Sequence, residues 1–449
     1  MVLALIAAAC GDDAEDTTTT AAITETTAAI TETTAAAAAG EPIKVGELAY
    51  YTGEFAPYGP ALTADVLFPI NEVINLDPPL GRPFEPYHED IGTVGEGQAA
   101  RILVEQYDVD ILVSAAHEYR TYRDWLQEVI AEQDRPLMPT VHGGTIPQNL
   151  GGVGSEPIFR AQGLDEALGM SGVQYADTIG AETIVIFATQ VEGFQLAADA
   201  AEKTAAALGI EVLDRLDVQA EQATYRTEAQ RIAQLEPDAV IVQAGSVESA
   251  TLIKQAAEAG LSLHWIGETG WIQPEFIGTL TIDPIASQKS IGFAAFSANQ
   301  DTPAWEFYEP LWNNNPEYNQ YGDANDQYHF STYDLMIITA LAIEEAGSAD
   351  ASAWAPAMFM VTDPPGTVCY TYADCLALIR AGEEIDYEGV TGPGTFTSGG
   401  VNAVTQTYTP FNEDGTVGVA VVLDPDEGLE IIGVIAVEAE CTPDNICTW

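Results

Sequence analysis

Positive charge is the scarcest thing in this sequence. Among 449 residues there are 14 Lys and Arg against 69 Asp and Glu, a formal net charge of −55. Phosphate binding needs a basic stripe, so this shortage excludes nucleic acid as a partner. It also disfavours electrostatic attachment to anionic lipid. No run of about 18 apolar residues occurs, which leaves no transmembrane helix in the sequence. Histidine is sparse too. The five (His88, His117, His142, His264 and His329) fall in no H-E-x-x-H spacing, so no metal site is expected. A nucleophile elbow is missing, because Gly245-Ser246-Val247-Glu248 lacks the second glycine of G-x-S-x-G. Gly95 and Gly97, followed by Ala100, make a poor dinucleotide fingerprint, and no Lys follows the glycines between 143 and 154. No cofactor is expected, and neither is an enzyme.

What is present is ordinary globular material. A hydrophobic fraction of 47% can bury a core despite the acidity. A chain of this length makes two or three domains at about 150 residues each. The first 42 residues contain seven acids and no base; the remainder carries 62 acids against 14 bases, or −48. The acidity therefore belongs to the body of the protein. It reads either as a surface hydrated for a saline exterior or as a cation-binding surface.

The N-terminus reads as an address. MVLALIAAAC at 1–10 is an apolar stretch, then small residues, then Cys10. This resembles a bacterial lipobox with Cys10 as the lipidated residue, although no Lys or Arg precedes it. Residues 11–42 are rich in Ala, Thr and acid, and the unit AAITETT occurs twice in tandem, at 21–27 and 28–34. One Ile per unit is too little for a coiled-coil seam. A disordered tether of about 30 residues is expected, holding a soluble body near the outer face of a membrane.

Cysteine usage agrees. Cys369 and Cys375 are six apart, as are Cys441 and Cys447. Two local disulfides would leave Cys10 free for lipid and would fit an exported protein. Zinc is the weaker alternative, since neither pair has two-residue spacing and no His lies beside them.

From residue 43 the pattern alternates strand and helix. Strands are predicted at 43–49, 84–89, 111–113, 137–140, 183–188, 211–217, 239–242, 263–267 and 289–296. Helices are predicted at 60–75, 96–107, 121–132, 165–179, 194–208, 224–235 and 248–259. Short apolar runs such as Ile184-Val185-Ile186 are the mark of buried parallel strands. Alternation with helices of this length means βαβ units, in two blocks. Further helices are predicted at 302–312, 326–346, 351–360 and 371–381. Antiparallel strands are predicted at 404–408, 417–423 and 429–437.

With these residues in place, the chain resembles the type I periplasmic binding proteins, in the leucine/isoleucine/valine-binding branch of ABC-transporter receptors. The resemblance covers nearly all of 43–449. It is carried by Ile43-Lys44-Val45-Gly46, Thr52–Gly59, the stretch 238–261, Trp265–Trp271 and Tyr387–Phe396. It implies an α/β protein of two Rossmann-like, doubly wound lobes joined by three crossing segments, near 161–164, 294–298 and 398–402. The first lobe is then 43–162 plus 297–399, and the second 163–296 plus 400–449. It further implies a small-molecule solute held between the lobes, an amino acid or related amine, with ABC permease and ATPase subunits as partners. A sensor of the same fold docking to a separate signalling receptor is the alternative.

Site residues carry across unevenly. Tyr58 matches an aromatic that covers the ligand; Gly143 and Thr145 match a pair that holds its carboxylate. Tyr328 matches an aromatic from the returning segment. Glu268 lies one residue from the acid that binds the ammonium, with Thr269 beside it. Glu118, Glu192 and Gly245 depart from the family pattern, and Tyr119 and Arg120 adjoin Glu118 as further candidates. Three acids facing one cleft would favour a cationic ligand; the alternative is that one or two of them point to solvent. Trp271 is a candidate to line the cleft, and Trp265 reads as core.

Overall fold

The computed structural model describes residues 40–52, 56, 59–113, 118–140, 156–160, 162–163, 165–220, 222–392, 396, 400, 402 and 404–423; for Arg120, Asp165 and Glu192 it describes the backbone alone. Cys10, Tyr58, His117, His142, Gly143, Thr145, Cys441, Cys447, the tether to residue 39 and the expected strand at 429–437 lie outside the described residues.

The first half alternates as its apolar runs require. It comprises β1 (Ile43–Ala49), α1 (Gly59–Glu72), β2 (Phe84–Asp90), α2 (Ile91–Val94), α3 (Glu96–Arg101), β3 (Ile111–Val113), α4 (Tyr119–Gln133), β4 (Met138–Thr140) and β5 (Ile158–Arg160). β1 pairs in parallel with β2 and β3. Leu137 bridges in parallel to Ile111, and β4 pairs in parallel with β5. The resulting order is 2-1-3-4-5, the flavodoxin-like doubly wound arrangement, whose ligands collect beyond the carboxyl ends of the strands.

A second sheet repeats that order. α5 (Asp165–Thr178), β6 (Thr183–Thr189), α6 (Glu192–Leu208), β7 (Glu211–Val218), α7 (Arg226–Leu235), β8 (Ala239–Gln243), α8 (Ser246–Glu258) and β9 (His264–Gly267) lead through α9 (Pro274–Leu280) and α10 (Ile282–Ser287) to β10 (Ser290–Phe296). β13 (Gln406–Pro410) pairs antiparallel to β10, and β14 (Val421–Val422) pairs antiparallel to β13. The full order is β14-β13-β10-β9-β8-β6-β7. β8 is buried along its whole length because helices cover both faces. Ile232, Leu252 and Phe276 pack on one side, and Val173, Ala198 and Ala205 on the other.

Between the sheets' segments lie α11 (Pro303–Asn313), α12 (Gln327–Ala346), α13 (Ala351–Met360), β11 (Thr367–Cys369), α14 (Tyr372–Ala381) and β12 (Ile385–Tyr387). These pack into one core with the first sheet. α12 is buried at every residue from His329 to Ile343, as an all-round apolar helix must be. Thr302 caps α11, with Pro303 at its first position, and Gly347 ends α12 in the left-handed conformation. Cys369 and Cys375 are bonded, with Cα atoms 5.4 Å apart, and clip β11 to α14.

Some elements differ from expectation. The helix expected over 96–107 is α-helical only to Arg101 and continues as a π turn over Ile102–Tyr107. Of the strand expected over 417–423, Val421 and Val422 form a short strand and Val417 makes an isolated bridge to Phe411. α9 and α10 were not anticipated; both are short, and Pro274 and Asp283 open them without a long amphipathic repeat.

The chain passes from the first sheet to the second after β5, returns after β10 and passes again before β13. The passing segments bond to one another. Arg160 N–H donates to Gly400 O at 2.7 Å, Asn402 N–H to Arg160 O at 2.9 Å, and Ser297 N–H to Thr405 O at 3.0 Å. Gly163 lies so close to the Phe296 ring that a Cβ would sit 2.2 Å from it.

Candidate functional site

A cavity of about 650 Å³ opens where the two sheets' segments meet. That is the size range of a small-molecule site. The first half contributes Tyr50 and Leu62 and, from the start of α12, Asn325–Tyr328. The second contributes Glu268–Gly270, Ile272, Phe293, Ala295, Thr407 and Thr409. The passing segments contribute Gln162, Phe296 and Ser297.

Local chemistry positions each wall. β9 ends at Gly267, where the Trp271 ring occupies the place of a side chain, 2.0 Å from where a Cβ would be. Glu268 then caps the single helical turn Thr269–Ile272, its Oε2 accepting from Gly270 N–H at 2.7 Å. That turn holds the carboxylate at the wall, where Glu268 is only 8% exposed. Opposite in sequence, Asp326 caps α12 and accepts from Tyr328 N–H at 2.9 Å. Asn325 accepts from Ala298 N–H at 3.0 Å and so pins the start of α12 to a passing segment.

Behind these walls lie buried ionisable groups. Asp65 of α1 accepts from or shares a proton with His329 of α12 at 2.6 Å. Burial, opposed by His329, lifts Asp65 to about 6. Burial pulls His329 down, but the charge and hydrogen bond of Asp65, then Asp326 and Asp323, outweigh it and leave it raised. Burial also raises the Tyr50 phenol, reinforced by the negative charges of Glu96, Glu47 and Glu118. Tyr50 therefore presents a neutral hydroxyl in an acid-rich field.

The structure brings Glu268, Thr269 and Tyr328 together at this cavity. Other expected residues fall elsewhere. Tyr119 is turned into the core of the first half, where its hydroxyl donates to buried Glu156. Glu118 is exposed at the start of α4, and its N–H donates to Glu96 at 2.9 Å. Gly245 precedes α8 and does not border the cavity. Arg120 and Glu192 lie in the first turns of α4 and α6. Trp271 is fully buried and stacked on Phe276, with ring centroids 4.5 Å apart, behind the wall it was expected to line. Trp265 is fully buried as expected.

Sequence reasoning missed Gln162, Gln327, Leu62 and Phe293. Gln162 lies in a crossing segment that the pattern located without assigning it a ligand role. Gln327 follows the Asp326 cap of a helix that the pattern located. Three of the lining residues each hold one side-chain oxygen shielded from solvent and without a hydrogen-bond partner among the described residues: Gln162 Oε1, Thr269 Oγ1 and Gln327 Oε1. In the second sheet the cavity lies toward β9, β10 and β13, away from the β6/β8 switch point where the fold's general rule would put it.

A family model described as periplasmic binding protein matches residues 42–411. No curated protein matches the chain. Among solved structures, the leucine binding protein LivK of Thermotoga maritima is similar at a TM-score of 0.62 and 16% identity, covering 86% of this chain and 99% of that one. The branched-chain amino acid binding protein LivJ of Streptococcus pneumoniae, in complex with isoleucine, aligns at 0.58 and 18%, covering 85% and 99%. A solute binding protein of R. palustris, in complex with benzoate, aligns at 0.57 and 14%, covering 85% and 96%. At these identities the likeness shows the fold.

Proposed function

The chain belongs to the periplasmic binding protein family across residues 42–411, and from that premise we propose that it captures a small solute between two lobes and delivers it to an ABC importer. The observation that carries this reading is the cavity of about 650 Å³, whose walls come from both sheets' segments and from the strands that pass between them. A solute there touches both sides at once. Its contacts are complete only when the walls are close, so binding favours a closed population. The lobes would be 43–162 plus 297–399 and 163–296 plus 400–449, hinged at the passing segments.

The family consists of binding proteins, and the chemistry proposed is binding without covalent change. The contacts would be Glu268, Thr269 and Tyr328, joined by Tyr58, Gly143 and Thr145 from the loops of the first half. An amino acid or related amine is the solute class proposed. Family membership supports an extracytoplasmic location, and among the described residues no helix is long and apolar enough to cross a membrane. Anchoring would come from lipid on Cys10, with the 11–42 segment as tether. The structural relatives carry leucine, isoleucine or benzoate in their names, so the fold itself tolerates several solutes.

A thermal-shift screen of amino acids, amines, amides and short organic acids tests the capture reading. A ligand at 100 times its Kd adds about 2.7 kcal/mol of stability. Thr269→Trp, which projects a large ring from the cavity wall, should abolish that gain. Stabilisation that survives Thr269→Trp would place the ligand elsewhere and defeat the assignment.

A further inference from the structure

We propose that Arg160 is the clamp of the hinge. Its guanidinium and its backbone fasten the three passing segments into one junction, and through them hold the cavity walls where a solute can bridge them. Arg160 does not border the cavity, so it is a positioning residue for capture. This rests on the capture reading above.

Arg160 ends β5 and is 4% exposed. Its Nε donates to Gln162 O at 3.1 Å and its Nη2 to Gly163 O at 3.2 Å. The fork thus grips two consecutive carbonyls of the first passing segment. A planar guanidinium presents its donors at a fixed spacing, which a lysine ammonium cannot do. Charge-assisted bonds are stronger than neutral ones, and burial strengthens them further. The backbone of the same residue reaches the third passing segment, donating to Gly400 O and accepting from Asn402 N–H.

The second passing segment closes the ring. Ser297 N–H donates to Thr405 O of the third segment. The Phe296 ring lies on Gly163, where any side chain would collide with it. Gly163 is therefore held through its carbonyl by Arg160 and covered at its Cα by Phe296. First meets third at Arg160, third meets second at Thr405, and second meets first at Gly163. A shift of one segment breaks a contact with another.

The junction and the cavity share residues, since Gln162, Phe296 and Ser297 belong to both. Closure of two lobes is absorbed by a few residues where they join. With the clamp loosened, fewer molecules hold the walls at the spacing a solute needs. The apparent Kd rises in inverse proportion to that fraction, so a fall to about a tenth weakens binding about tenfold.

Residue-resolved hydrogen exchange of the full chain, without solute, tests the clamp in Arg160→Met and Arg160→Lys. Arg160→Met removes the fork and should speed exchange of the Ser297 and Asn402 amides about tenfold, leaving those of β6 and β8 at their native rate. Arg160→Lys keeps a buried cation, so it preserves the test should Arg160→Met fail to fold, and it should show the same local change at smaller amplitude. Calorimetric titration with leucine, phenethylamine and benzoate (a zwitterion, a cation and an anion) adds the binding side. Whichever probe binds the wild type should bind Arg160→Met about tenfold more weakly, well below the thermal midpoint of either protein. Native exchange at Ser297 and Asn402 in both variants, or an equal rise in β6 and β8 as a purely structural role requires, overturns the clamp and leaves the capture reading standing. Loosened junction amides with unchanged affinity overturn the positioning role, again without touching capture. Absence of binding by these probes and by every compound of the thermal-shift screen overturns the capture reading, and the positioning role with it, whatever the exchange shows.

Discussion

Asp65 and His329 show what a single buried contact does here. They join α1 to α12 at 2.6 Å, and His329 is 3% exposed. Both bind protons more readily in the folded protein than in the unfolded chain. Asp65 is lifted by burial, against His329, from 3.8 to about 6. His329 is lifted above 6.5 because Asp65 outweighs the downward pull of burial. A raised group stabilises the fold below its unfolded value and loses that contribution as pH climbs through its folded value. Asp65's share therefore fades between about pH 4 and 6, and that of His329 fades as pH climbs past its ordinary 6.5 and through its raised folded value. Breaking a buried pair costs about 3–5 kcal/mol. His329→Gln should cost about that much at pH 6 and measurably less at pH 9, by urea unfolding. A cost that stays level or grows with pH would contradict this account. Nothing in the spacing of His329 indicates the pairing. Asp65 is 264 residues away, and sequence periodicity says nothing about such distances. The Cys369–Cys375 bond is different, because a separation of six residues is a local signal. Replacing both by Ala should lower stability by about 2 kcal/mol under oxidising conditions, through the entropy of a short closed loop, and a reductant should reproduce most of that loss.

At the scale of elements, apolar runs and their period carried most of the information. Short apolar runs located β6 and β8, and the apolar–helical stretch over 326–346 located α12, within a residue or two. They failed where tertiary packing overrides periodicity. Ile102–Tyr107 becomes a π turn, although its composition is that of the helix preceding it. The turn after β9 illustrates an element on which the site depends. Gly267, Glu268 and Gly270 are legible as a turn, yet the reason for Gly267 is the Trp271 ring filling its side-chain space. Gly267→Ala should force that ring aside, cost about 1–3 kcal/mol as overpacking does, and weaken solute binding several-fold by shifting the Glu268 cap. Gel-stable folding with unchanged solute affinity would show that the turn does not position the carboxylate.

For the whole molecule the governing quantity is the net charge of −55. Self-repulsion destabilises a compact chain with charge so far from zero. Among the described residues ion pairs engage few of the acids; Arg215, for instance, is shared by Asp199, Glu202 and Asp217. Potassium chloride screens exposed charges within about 3 Å at 1 M against about 30 Å at 0.01 M. The thermal midpoint should therefore climb by several degrees across that range, and a flat or falling midpoint would show that repulsion is not limiting. Membrane association is tested separately: Cys10→Ser should release the protein into the medium or periplasm, as measured by fractionation and lipid labelling.

The sequence by itself determined the class of fold, two blocks of alternating strand and helix, because buried parallel strands and amphipathic helices leave local periods that need no knowledge of distant residues. Through charge alone it also disfavoured nucleic acid as a partner. It singled out Glu268, Thr269 and Tyr328 by resemblance. Only the tertiary structure decided that Gln162 and Gln327 share their cavity, that Tyr119 and Trp271 are packed behind walls they were expected to line, and that Asp65 meets His329. The reason is physical. Which side chains converge depends on the strand order 2-1-3-4-5 and on how passing segments return the chain between sheets, and those long-range pairings are set by packing energy rather than by any local pattern.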